Sequence, residues 1–130
     1  MDDTAGAIEH VSPWPFAPTL DRLTQAITAA GMTIFARIDH AAGAREAGME
    51  MPPTIVLIYG NPKGGTPIML AEPRAALDLP LRVLVRQDAT GRVVMSFHPV
   101  ASQLKQAGVP NELARRLEPA QRVLVEAIQP

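Results

Sequence analysis

Residues 59–69 read YGNPKGGTPIM, which sets a lysine, two glycines and a threonine between apolar segments. Residues of these types can hold an anion. A phosphate loop of the Walker kind needs its lysine directly after a glycine and directly before Ser or Thr, so that the ammonium reaches the outer phosphates. Here Lys63 stands before Gly64, Gly65 and Thr66, so the order differs. What remains is more general. Thr66 has the type of an N-cap and Pro67 that of a first helical residue, which predicts a short helix over 67–71. Its N–H groups from Thr66 to Met69, its dipole and the Lys63 ammonium could hold an anion weakly. The plainer reading is a corner: Asn61-Pro62 turns the chain and the glycines supply positive φ. Asn61, Lys63, Gly64, Gly65 and Thr66 are therefore the candidate ligand-binding residues.

The titratable candidates lie elsewhere along the chain. His40 follows Asp39 directly; Asp39 has the type of an N-cap, and His40 could serve as a catalytic base or a metal ligand. His98 ends an apolar run before Pro99, and His10 stands near the N-terminus. The spacing of the three histidines implies no common metal or haem site. Asp78 precedes Leu79-Pro80 and could bond a local N–H or be a buried acid with a raised pKa. Asp39, Glu46, Glu50, Asp78 and Asp88 form no paired-carboxylate motif, and Asp88 reads as a turn residue. Ser96 and Ser102 lack the Gly-x-Ser-x-Gly elbow of many hydrolases.

These residues must be carried by ordinary elements. Residues 1–6 read as a loose end and 7–11 as a short strand. SPWPFAP, residues 12–18, holds three prolines and is no helix interior; Trp14 and Phe16 are expected to fold back onto the body. Thr19 has the type of an N-cap, Leu20, Leu23, Ile27 and Ala30 recur at helical spacing, and Gly31 follows. Residues 32–38 read as a strand, 40–47 as a short helix ended by Gly48, and 54–59 as a strand buried on both faces. In the next strand Leu79, Leu81, Val83 and Val85 share one face, and Arg82, Arg86 and an unexpected Leu84 the other. DATG, residues 88–91, turns that strand into RVVMSF as a hairpin. A two-turn helix ends at Gly108, and Asn111 is expected to cap a last amphipathic region that Pro119 kinks or splits. Met32, Met69 and Met95 suit core gaps, while Arg115, Arg116 and Arg122 suit a solvated helix face.

FARIDHAAGAREAG, PPTIVLIYGNPKGGTPIM, ALDLPLRVLV and DATGRVVMSF together resemble the domain of unknown function 302 family. The resemblance runs from about Thr19 to Pro99. Its most specific pieces are Asp39-His40, Gly60-Asn61-Pro62 with Thr66-Pro67, and Asp78-Leu79-Pro80. It implies a TATA-binding-protein-like fold, strand, helix, four strands, helix, and a homodimer. Where that family often carries Asn-Asp-Pro after the last strand, this chain reads Phe97-His98-Pro99.

Composition bounds the rest. The chain has 130 residues, 47% apolar and 19% charged, enough for one domain spanning 1–130 with a real core, its helical C-terminal segment at 109–130. Lysine and arginine total 12 against 13 acids, so no basic excess points to nucleic acid. One tryptophan, one tyrosine and three phenylalanines are too few for a base-stacking platform. Cysteine is absent, which removes disulfides, thiolate zinc and a cysteine nucleophile. No apolar run approaches membrane-spanning length, so no membrane partner is expected. MDDTAGAIEH is acidic and lacks the form of a signal peptide, so the cytoplasm is the expected compartment.

The fold expected is α+β, a mostly antiparallel sheet of about five strands with helices on one face. The function expected is that of a small soluble module, non-enzymatic, homodimeric and able to bind a small ligand. Two other readings stand open. One is an enzyme for a small anionic substrate at the 61–66 corner, with Lys63 as charge clamp and His40 or Asp78 as general acid or base. The other is haem or metal binding through His40 or His98. No cofactor is named by the residues themselves.

Overall fold

Alternation builds the sheet. In β3 (Thr54–Gly60), β4 (Leu81–Gln87) and β5 (Val93–Phe97) the residues Ile55, Leu57, Tyr59, Leu81, Val83, Val85, Val93, Met95 and Phe97 are all buried. Side chains of a strand point to opposite faces in turn, so these share one face. The register sets Ile55 beside Val85, Leu57 beside Val83, and Val85 beside Met95. The computed structural model describes residues 6–130. The expected loose end at residues 1–6 therefore falls, but for Gly6, outside the described residues.

The strand order is β1-β5-β4-β3-β2, with every neighbouring pair antiparallel. β1 (Ile8–Val11) and β2 (Thr33–Asp39) are the edges, and β2 carries an irregularity between Ile34 and Ala36. The helices are α1 (Phe16–Ala29), α2 (His40–Glu46), α3 (Pro62–Ala71), α4 (Val100–Gln106), α5 (Asn111–Ala114) and α6 (Glu118–Ala127), with 3-10 turns at Pro73–Leu77 and Arg115–Leu117. Leu20, Leu23 and Ile27 of α1, Ile68 of α3, Leu104 of α4 and Leu124 of α6 join the buried strand face in one core. The architecture is thus α+β, a five-stranded antiparallel sheet with helices, as the alternation and the helical spacing predict. Trp14 and Phe16 fold back and pack partly buried against this core. The Arg22 guanidinium lies 3.7 Å from the centre of the Trp14 ring, a cation–π contact.

Four local expectations are corrected. Thr19 is not an N-cap: α1 begins at Phe16, and the buried Thr19 hydroxyl lies 2.6 Å from Ser12 Oγ and donates to the Trp14 carbonyl at 3.1 Å. Pro18 is tolerated because a first-turn residue needs no N–H. Second, β3 is buried on one face only, with Thr54, Val56 and Ile58 half-exposed on the other. Third, Pro110 rather than Asn111 occupies the N-cap position of α5, and no side chain caps that helix. Fourth, α3 starts at Pro62 rather than Pro67, with consequences for the candidate site.

Asp39 caps α2 as expected, its Oδ1 accepting from the Ala42 N–H at 2.9 Å. Asp88 closes the β4–β5 turn, and Gly108 takes φ of 96° to end α4. The C-terminal region is divided into α5, a 3-10 turn and α6, with Pro119 in the first turn of α6, where its missing N–H costs nothing.

Candidate functional site

The corner at 61–66 is a helix N-terminus rather than a loop. Asn61, not Thr66, is the N-cap, and its Oδ1 accepts from the Lys63 N–H at 3.0 Å. The Gly64 and Gly65 N–H groups both donate to the Asn61 carbonyl, at 2.9 and 3.0 Å. The donors that could have cradled an anion at this terminus are therefore already engaged. The N–H groups at 66–69 lie inside α3, where Pro67 has none to give. Neither Gly64 nor Gly65 has positive φ. Their smallness matters instead for close approach. A Cβ on Gly64 would lie 3.2 Å from Leu117 Cδ2, and one on Gly65 would lie 3.8 Å from both Leu79 Cδ1 and Met69 Cε.

That closeness shapes a cavity of about 200 Å³ between α3, the start of β4 and the turn before α6. Met32, Phe35, Met69, Leu79, Pro80 and Leu117 supply most of its wall, with Asn61 and Thr66 as its polar side chains. Among the described residues no charged side chain lines it. Lys63 is exposed and points to no wall of this cavity. Behind it Tyr59 is fully buried, its hydroxyl donating to the Ala120 carbonyl at 3.3 Å, and burial pushes its pKa upward.

The other candidates fall into separate places. His40 opens α2 at the far end of the sheet: Asp39 pairs with Ile55, whereas Gly60, beside the corner, pairs with Thr33. Seven residues of extended strand, about 20 Å, separate the two ends. His40 and the 61–66 corner therefore share no pocket. Asp78 and His98 do come together, lining a second hollow of about 540 Å³ with Glu9, Arg82, Ser96 and Gln121. Leu84, unexpected on the polar face of its strand, is part of that wall. His10 pairs with Met95 on β1. Among the described residues, no three His, Asp or Glu side chains converge to hold a metal ion.

Sequence reasoning missed the cavity wall. Leu117 and Phe35 carry no local signal, since a leucine in an amphipathic stripe reads as core. Asp78-Leu79-Pro80 did stand out as a fragment; the structure shows that it divides the two hollows, Asp78 facing the polar one and Leu79-Pro80 the apolar one.

The family described as Domain of unknown function DUF302 matches residues 8–129, all five strands and all six helices. The chain belongs to this family. A crystal structure of an uncharacterized conserved DUF302 protein from Bacillus stearothermophilus superposes with a TM-score of 0.86, over 95% of this chain and 98% of that one. At 15% identity the two share the fold. Among curated proteins, the fluoride-specific ion channel FluC 1 of Brucella suis biovar 1 is 36% identical over 112 residues, 85% of this chain and 44% of that one. FluC 1 of Brucella abortus and FluC 2 of Brucella melitensis match to the same degree over 42% of their length. The chain thus spans less than half the length of these curated relatives. Among the described residues no helix is long and apolar enough to cross a membrane.

Proposed function

We propose that this DUF302 chain is a non-enzymatic module that takes a small, uncharged, apolar ligand in the 61–81 cavity and works as a homodimer. The cavity carries the reading. It is walled by thioether, aliphatic and aromatic groups, and among the described residues no charge lines it. A dry apolar cavity of about 150 Å³ accommodates benzene, so this volume suits a single-ring or short aliphatic molecule. Asn61 and Thr66 at the mouth can orient one polar substituent.

Thermal unfolding with toluene, indole and hexanol as probes tests this. A ligand that favours the native state raises the melting temperature by linkage. Binding should raise it in the wild type and leave Gly65→Leu unmoved, because that side chain fills the cavity. Failure of all three probes to shift the wild type counts against the reading.

Self-association is supported by the edge of the sheet. β2 offers seven residues with no described strand on its outer side, and Phe35 and Ile38 on it are 49% and 43% exposed. Open apolar edges pair readily, and a two-fold axis there would join two sheets. Sedimentation at micromolar concentration should show a dimer, and Ile38→Lys should yield monomer. A monomeric wild type would sink this part.

A second reading rests on the Brucella proteins, in which a region like this chain belongs to a molecule named for a fluoride-specific ion channel. The chain then acts beside such a channel. Fluoride tolerance measured with and without the chain, in a host carrying a channel, tests it; equal tolerance argues against it.

A further inference from the structure

The polar hollow lies beside the apolar cavity, the two sharing only Leu81 among their described lining residues, and has the makings of its own site. We propose that it binds a small zwitterion, an α-amino acid or a short peptide, with Arg82 receiving the carboxylate and Asp78 the ammonium.

The first observation is Ser96. It is only 6% exposed and lines the hollow, where its hydroxyl can both donate and accept a hydrogen bond. Set among buried neighbours, it gives an entering polar group one fixed partner at the floor of the hollow.

The second is the charge arrangement. Asp78 and Arg82 line the same hollow but form no ion pair, with each other or with any described residue. Glu9, also in the wall, is engaged by Arg86 at 3.6 Å. A purely anionic ligand would meet Asp78 and Glu9; a purely cationic one would meet Arg82. A molecule with both charges satisfies both sides. Val56 and Leu84 offer an apolar surface for its side chain.

The third is the rim. Gln121, 7% exposed, accepts from the Val100 N–H at 2.9 Å and donates to the His98 carbonyl at 2.8 Å. It ties the turn after β5 to α6, so the wall is set before any ligand arrives, which lowers the ordering cost of binding. His98, exposed at this rim, gives the carboxylate a second donor.

Titration calorimetry and amide-resonance mapping on the full chain, with the twenty amino acids and simple dipeptides as probes, test the proposal. At least one probe should bind and perturb resonances of residues 78–84 and 96–98. Arg82→Gln and Asp78→Asn should each weaken it about tenfold or more, with thermal unfolding unchanged. Methyl esters and N-acetyl derivatives of that probe should lose binding to the wild type. Absence of binding by every probe at millimolar concentration overturns the proposal. So does equal binding by the two variants, or by the esters.

Discussion

Gly64 and Leu117 are set so close that an added Cβ would come within 3.2 Å of Leu117 Cδ2. They lie 53 positions apart in sequence, one in the first turn of α3 and the other at the end of a 3-10 turn. Their approach joins α3 to the C-terminal helices and closes one side of the apolar cavity.

The two adjacent glycines should consequently differ in substitution. Gly65→Ala meets only ordinary contacts and removes a helix-interior glycine, so it should stabilise by about 0.5–1 kcal/mol. Gly64→Ala gains the same backbone term, but Leu117 must shift, so its net gain should be smaller. Denaturant midpoints of the two variants measure the difference; a Gly64→Ala more stable than Gly65→Ala would contradict the packing described.

Gln121 fills two backbone valences at once. Gln121→Leu keeps the bulk but strands the Val100 N–H and the His98 carbonyl, at a cost of about 1–3 kcal/mol per buried group left unpaired. Urea unfolding should show a loss in that range. Fast hydrogen exchange at Val100 in the variant, and slow exchange in the wild type, would identify the cause.

Tyr59 is the sole tyrosine, so its absorbance reports on it alone. Burial raises its pKa. The folded state therefore resists the phenolate, and the unfolded state ionises first. The associated stability is intact below the ordinary tyrosine pKa of about 10 and falls as pH rises above it. Phenolate absorbance should appear together with loss of secondary structure. Ionisation of a still-folded protein near pH 10 would show that the hydroxyl is open to solvent.

Asp88 behaves in the opposite sense. The Thr90 hydroxyl, then the Arg92 and Thr90 N–H groups and the Arg92 guanidinium, bond its carboxylate and lower its pKa from 3.8 to about 2. Its contribution is present above the ordinary carboxylate value and is lost as pH falls through about 2. Carboxyl carbon resonances followed against pH should place its midpoint well under those of the exposed acids. A midpoint at the ordinary value would mean the turn bonds do not persist in solution.

Local chemistry was plain in the residue order wherever one short stretch sufficed. Asp39 reads as a cap and is one. The hairpin at Asp88 is written in its turn residues, and the alternation in 81–85 fixes which side of β4 is buried. Helix starts were less legible, for one reason in each case. Ser/Thr before an apolar period looks like a cap, but proline at Pro15 and Pro62 had already set helical φ, so α1 and α3 begin earlier and Thr19 and Thr66 lie inside them.

The candidate site divides along the same line. The 59–69 run stands out by composition, and its place at a strand–helix junction follows from the adjoining apolar segments. Its character does not. Whether such a corner meets an anion or an apolar molecule depends on what the rest of the chain brings to it: here Phe35, Leu79 and Leu117, with Lys63 left outside. Asp78 and His98, twenty positions apart, meet around one hollow while His40 is carried to the other end of the sheet. The sequence by itself determined an antiparallel α+β layer, because side-chain alternation and helical spacing act over a few residues. Only the tertiary structure decided which candidates share a pocket, because that follows from strand order and from helix packing between residues far apart along the chain.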